Sequence, residues 1–192
     1  MKKTAVLLYP QFSEYELSVA LSILMQGGKP VVTVGINNQP ITGESGLTCL
    51  PDTTIDEVNG DEIDSLLLTG CMDIGILQNE EKLFTFIQEM ERNVSLIASI
   101  SSSPYLLAKA GVLKGKKYTV GLTKEAREAL GVFEHDYYSD DIVVQDGKFI
   151  TAVGRAFLQF GILIGKTLNL SFDERWYKVN DSTHSRKIKR KS

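Results

Sequence analysis

Short apolar runs alternate with amphipathic stretches along most of the chain. Residues 4–9 form a compact apolar run, after which Leu17, Ala20, Leu21, Leu24 and Met25 recur at helical spacing until Gly27 and Gly28 stop the pattern. Residues 30–36 read as a second buried strand, and residues 39–50 combine turn residues with alternation, which predicts a small hairpin. Residues 63–68 give a third core strand. Residues 80–90 place apolar side chains at 83, 84, 86, 87 and 90, the stripe of a helix lying on a sheet, and residues 94–100 return to strand. Residues 155–168 predict an apolar final helix, and residues 171–179 a further short one. His135 falls at an expected strand edge away from any site, and His184 in the tail.

Strands alternating with helices of this length imply an α/β fold: a doubly wound, mostly parallel sheet with helices on both faces and a small β-hairpin excursion. Such sheets leave a crevice at the carboxyl ends of their strands. Three loops converge there: one with Glu14 and Glu16, one with Gly70, Cys71 and Asp73, and one with Ser101, Ser102 and Ser103. One domain is expected over residues 1–170, with an extension over 171–192 that ends in a basic tail.

The third loop carries the strongest chemical signal. In Leu96-Ile97-Ala98-Ser99-Ile100-Ser101-Ser102-Ser103-Pro104-Tyr105-Leu106-Leu107 a buried strand drives into a helix through a run of serines. A strand-to-helix turn throws its turn residue, here Ser101, up at the sheet's carboxyl edge beside unpaired helix N–H groups.

Charge refines the picture. The chain has a formal net charge of −3, yet residues 186–192 hold five of its 21 basic side chains and no acid. The remaining 185 residues carry 16 basic against 24 acidic side chains, so the body is acidic and nucleic acid is not expected as a partner. No apolar run of membrane-spanning length is present, and Met1-Lys2-Lys3 leads directly into a short strand, so no membrane association and a cytoplasmic location are expected. Cys49 and Cys71 match no metal-ligand spacing and are expected to be free thiols. No phosphate-binding glycine loop, metal cluster or dinucleotide fingerprint occurs, which predicts no cofactor and no metal.

The serine turn resembles the nucleophile elbow of the ThiJ/PfpI family, the DJ-1/PfpI superfamily related to class I glutamine amidotransferases, whose pattern is roughly Ala-Ile-Cys-x-Gly-Pro before a Leu-rich helix. Here serine stands in the place of the cysteine. Tyr9-Pro10-Gln11-Phe12-Ser13-Glu14-Tyr15-Glu16 is similar to the family's first loop, and Leu66-Leu67-Leu68-Thr69-Gly70-Cys71 to its strand ending in Pro-Gly-Gly. Residues 110–119 resemble its post-elbow segment and residues 146–152 its late hairpin. The resemblance covers residues 4–170 in order. It implies a flavodoxin-like fold, a homodimer, and a pocket in which Glu16 faces Ser101, with Gly70, Ser102 and Ser103 as binding residues.

A cysteine at such an elbow reaches a useful thiolate fraction because its ordinary pKa is only about 8.5. A serine hydroxyl must instead lose its proton to a positioned base as it attacks. The family's histidine, after the nucleophile or on the strand following the elbow helix, has no counterpart at Ser102 or at residues 118–121. The sequence therefore points to a catalytically degenerate family member that binds a small molecule or partner. The alternative is an active amidase, peptidase, or glyoxalase- or deglycase-like enzyme using Ser101 or Cys71 with Glu16. No helix-turn-helix module, of the kind fused to some relatives of the family, is expected in this chain.

Overall fold

A computed structural model describes residues 1–177. Its seven-stranded sheet contains β1 (Lys3–Leu8), β2 (Val31–Gly35), β5 (Thr53–Thr54), β6 (Ile63–Leu68), β7 (Leu96–Ile100), β8 (Val143–Asp146) and β9 (Phe149–Ala152). Strand order is β5-β2-β1-β6-β7-β9-β8. All neighbours are parallel except β8 and β9. A separate antiparallel pair, β3 (Ile41–Thr42) and β4 (Thr48–Cys49), forms the predicted hairpin. The doubly wound α/β fold expected from the sequence is thus the fold observed.

The central strands are continuous apolar runs because both faces are covered. β7 is buried throughout, and β6 at five of its six positions. The chain moves from β1 to β2 in one direction and from β6 to β7 in the other. Right-handed crossovers therefore send α1 (Glu14–Gln26) and α2 (Glu81–Asn93) to opposite faces. α5 (Phe157–Thr167) packs on α1, whereas α3 (Pro104–Lys109) packs on α2. A fifth helix, α4 (Lys124–Leu130), is capped by the Thr123 hydroxyl and ends at Gly131 in a left-handed conformation.

Several expectations shift. Leu21 and Met25, assigned to the inner stripe of α1, are exposed, while Val19 and Ile23 are buried with Leu17, Ala20 and Leu24. The inner face follows the contact with α5, not the most apolar stripe. Residues 94 and 95 precede β7 because the Val94 N–H still donates to Met90 at the end of α2. The final helix begins at Phe157, after a 3-10 turn over Gly154–Ala156. In place of a short helix over 171–179 there is a 3-10 turn at Glu174–Tyr177, and residues 178 and 179 lie outside the described residues. His135 opens another exposed 3-10 turn, His135–Tyr137, and does not sit on a strand edge. His184 and the basic tail lie outside the described residues.

Candidate functional site

The ends of β1, β6, β7 and β9 build one site. After Ile100 the chain reverses into α3 within three residues, and Ser101 takes a φ of +65°. This left-handed conformation costs a side-chain-bearing residue about 1–3 kcal/mol and persists only where its surroundings enforce it. Here they do. The Ser101 N–H donates to the Ala152 carbonyl at 2.8 Å, and the Ser101 carbonyl accepts from the Gly121 N–H at 2.7 Å. A Cβ on Gly121 would lie 3.1 Å from Ser101 Cα, so glycine permits that approach.

Ser103 is wholly buried and turned into the sheet. Its hydroxyl accepts from the Ile100 N–H at 3.0 Å and lies 2.7 Å from Ser99 Oγ and 3.2 Å from the Leu68 carbonyl. It builds the turn. Ser102 reaches across to the loop after β6: its hydroxyl accepts from the Cys71 N–H at 3.1 Å and donates to the Cys71 carbonyl at 3.3 Å. α3 has only six residues, so the helix-dipole contribution expected at the elbow is short-ranged and small.

Glu16, in the first turn of α1, is 2% exposed. Its Oε2 accepts from the Gly70 N–H at 2.9 Å and lies 3.4 Å from Thr69 Oγ1, whose own proton goes to the Ser13 carbonyl at 2.8 Å. Its Oε1 accepts from the Tyr15 hydroxyl at 3.2 Å. Two glycines press the carboxyl and the Ser101 hydroxyl together. A Cβ on Gly70 would fall 2.7 Å from Glu16 Oε2 and 2.8 Å from Ser101 Oγ; one on Gly154 would fall 2.5 Å from Glu16 Oε1 and 3.1 Å from Ser101 Oγ.

Burial raises the Glu16 pKa above its ordinary value; hydrogen bonds from Ser101, Gly70 and Tyr15 oppose that rise, and the Glu44 charge adds to it. Cys71 is pushed up to about 12, chiefly by burial, with the charges of Asp73, Glu44 and Glu16 acting in the same direction. Its thiol is therefore held protonated, the reverse of an activated cysteine. Cys49, on β4, is also a free thiol. Among the described residues no group of His, Cys, Asp and Glu is arranged to hold a metal ion.

The fold thus brings Ser101, Glu16 and Gly70 into one cluster and places Cys71 and Ser102 beside it. A residue-matched model of the DJ-1/PfpI family covers residues 2–166. The chain belongs to the DJ-1/PfpI family. It is 30% identical over 155 residues to protein dj-1beta of Drosophila melanogaster, which spans 80% of this chain and 81% of that protein. It is 32% identical over 144 residues to the deglycase PfpI of Pyrococcus furiosus, 74% of this chain and 84% of the relative. Among solved structures, the DJ-1 superfamily protein of Agrobacterium tumefaciens superposes with a TM-score of 0.78 at 26% identity, covering 92% of this chain and 94% of that one. The ThiJ/PfpI family protein of Bacillus anthracis, at 24% identity, shares the fold with a TM-score of 0.82 over 94% of this chain and 91% of its own.

Against the DJ-1/PfpI frame, sequence reasoning missed Tyr15, Thr69 and Gly154. Tyr15 neighbours Glu16 in the chain, and adjacent helix residues point about 100° apart, so nothing in the pattern joins them. Gly154 carries no chemistry of its own. Its only sequence signal is a glycine soon after a strand.

Proposed function

We propose that this DJ-1/PfpI protein is a catalytically degenerate cytosolic member that binds a small uncharged molecule at its elbow, with Ser101, Glu16 and Gly70 forming the contact and Ser102 and Ser103 shaping the turn. The carrying observation is that, among the described residues, the Ser101 oxygen has no imidazole base and the Cys71 sulfur is not held as a thiolate. Among the described residues no histidine lies beside Ser101, Cys71 is held protonated, and the Cys71 N–H, a donor that could otherwise stabilise an oxyanion, is already occupied by Ser102. The hydroxyl and carboxyl together can donate to and accept from a ligand oxygen. Homodimerisation follows from the family resemblance, and a monomer mass in sedimentation would overturn it.

A second reading is favoured by one feature. The Ser101 hydroxyl hydrogen-bonds to a carboxyl whose pKa burial raises above its ordinary value, the direction that favours a general base. A serine–glutamate dyad would act on small carbonyl compounds, the direction in which the deglycase relatives point.

Methylglyoxal consumption by the purified protein beside Ser101→Cys, Cys71→Ser and Glu16→Gln variants separates the readings. The binding role predicts an inert wild type and a Ser101→Cys variant that gains activity lost again in Ser101→Cys/Glu16→Gln. An active wild type abolished by Glu16→Gln supports the dyad. An active wild type abolished by Cys71→Ser assigns catalysis to that thiol.

A further inference from the structure

An aromatic side chain outside the family's nucleophile–acid pair stands beside Ser101 and Glu16. The Tyr15 hydroxyl donates to Glu16 Oε1 at 3.2 Å and would lie 3.3 Å from a Cβ on Gly154. Tyr15 as a residue is 49% exposed, and its ring stands edge-on to Phe157, the first residue of α5, with centroids 5.7 Å apart at 86°. Polar tip and apolar ring are thus divided: the tip completes the oxygen cluster, while the ring and Phe157 give the adjoining surface an apolar wall. The charges that act on Glu16, Tyr15 and Cys71 are those of Glu44 and Asp73 and of Glu16 itself. A carboxylate ligand would enter against them.

Resting on the elbow-binding reading above, we propose that Tyr15 is the specificity-determining residue of the site and selects an uncharged hydroxy- or oxo-compound bearing a flat apolar substituent. The ligand oxygen bonds to Ser101 and Glu16 in exchange for the Tyr15 hydroxyl, and the substituent packs on the Tyr15–Phe157 wall. An aromatic contact of this kind adds about 0.5–1.5 kcal/mol, or roughly 3- to 12-fold in affinity. Bonding to the carboxyl fixes the oxygen end, so the ring contact decides between ligands that share that end.

Three probes test this by NMR titration of the Gly70 and Gly154 amides: 2-hydroxyacetophenone, hydroxyacetone and mandelate. The expected order is 2-hydroxyacetophenone roughly 3- to 12-fold tighter than hydroxyacetone, with mandelate weakest. Tyr15→Ala should erase the advantage of the phenyl compound. Tyr15→Phe should keep that advantage while changing the affinity of both neutral probes together, an effect that loss of packing alone would not produce. Binding of the neutral probes with no phenyl preference, or a preference that survives Tyr15→Ala, overturns the assignment of Tyr15 and leaves elbow binding intact. A failure of all three probes to perturb Gly70 and Gly154 overturns both.

Discussion

Two carboxylates two residues apart carry opposite pH dependences. Burial raises Glu16, so the folded protein is favoured below the ordinary carboxyl value of 4.5 and loses that advantage as pH rises through the higher folded value. Glu14 is the reverse case. Its slight burial is outweighed by hydrogen bonds from its own amide, the Ser45 and Leu47 amides and the Ser45 hydroxyl, which lower its pKa. Its contribution is present above the ordinary carboxyl value and fades as pH falls through the lowered one. Chemical denaturation across pH should therefore show that Glu16→Gln removes a decline in stability on the alkaline side of 4.5. Glu14→Gln should remove a decline on the acid side and loosen the loop between β3 and β4. The same slope in wild type and Glu16→Gln would contradict the assignment. At the glycines beside the pair, added volume should be costly: Gly154→Ala places a methyl 2.5 Å from Glu16 Oε1 and must move the carboxyl or the backbone. A loss of about 1–3 kcal/mol is expected, with the Gly154→Ala substitution also abolishing any activity gained by Ser101→Cys.

At the level of elements, α1 and α5 pack closely through glycines. A Cβ on Gly161 would sit 2.7 Å from Val19 Cγ1 and 2.9 Å from the Ala20 nitrogen, and one on Gly165 would sit 2.5 Å from Ile23 Cγ2. Glycine-to-alanine exchange inside an exposed helix normally stabilises by about 1 kcal/mol. Here the sign should invert, because the new methyl meets backbone and a β-branched core side chain. Thermal unfolding of Gly161→Ala should show a loss of about 1–3 kcal/mol; a rise in Tm would mean that α1 can move away at little cost. This seam also explains what the sequence could and could not reveal. β1, β2, β6, β7, α2 and α5 are long or strongly patterned, and their periodicities were readable. The inner face of α1 was misjudged because a helix packed through glycines buries Val19 and Ile23 where the partner approaches most closely, leaving Leu21 and Met25 outside. β5 has two residues and its pairing with β2 is set by tertiary contact, beyond the reach of any local pattern. Glu16 and Ser101 lie 85 positions apart; that their loops converge at the carboxyl edge was readable from the α/β pattern, but that the two side chains face each other was visible only through family resemblance. The glycine walls around them emerge only in three dimensions.

The molecule separates its chemical end from an ionic anchor at the other. Ser101, Glu16 and Gly70 gather beyond the carboxyl ends of the strands, whereas Lys29 precedes β2 and Asp64 lies at the start of β6. Lys29 has a side chain only 3% exposed and donates to both Asp64 oxygens, at 2.5 and 2.6 Å. Next to it the Thr4 and Ser65 hydroxyls share a 2.7 Å bond, and the Ser65 hydroxyl lies 2.9 Å from Asp64, tying β1 to β6 where the two strands begin. Removing one partner of a fully buried pair costs about 3–5 kcal/mol because the other charge is stranded. Asp64 retains 30% exposure and some hydration, so Lys29→Met should cost less, about 2 kcal/mol. In a chain of this length that corresponds to a fall in Tm of about 4–8 °C. Because the anchor and the elbow occupy opposite edges of the same sheet, ligand affinity at Gly70 and Gly154, measured well below Tm, should not change. A Lys29→Met variant with native Tm would show that the pair contributes no net stability. Native stability with weakened elbow binding would instead show that strain travels the length of β1 and β6.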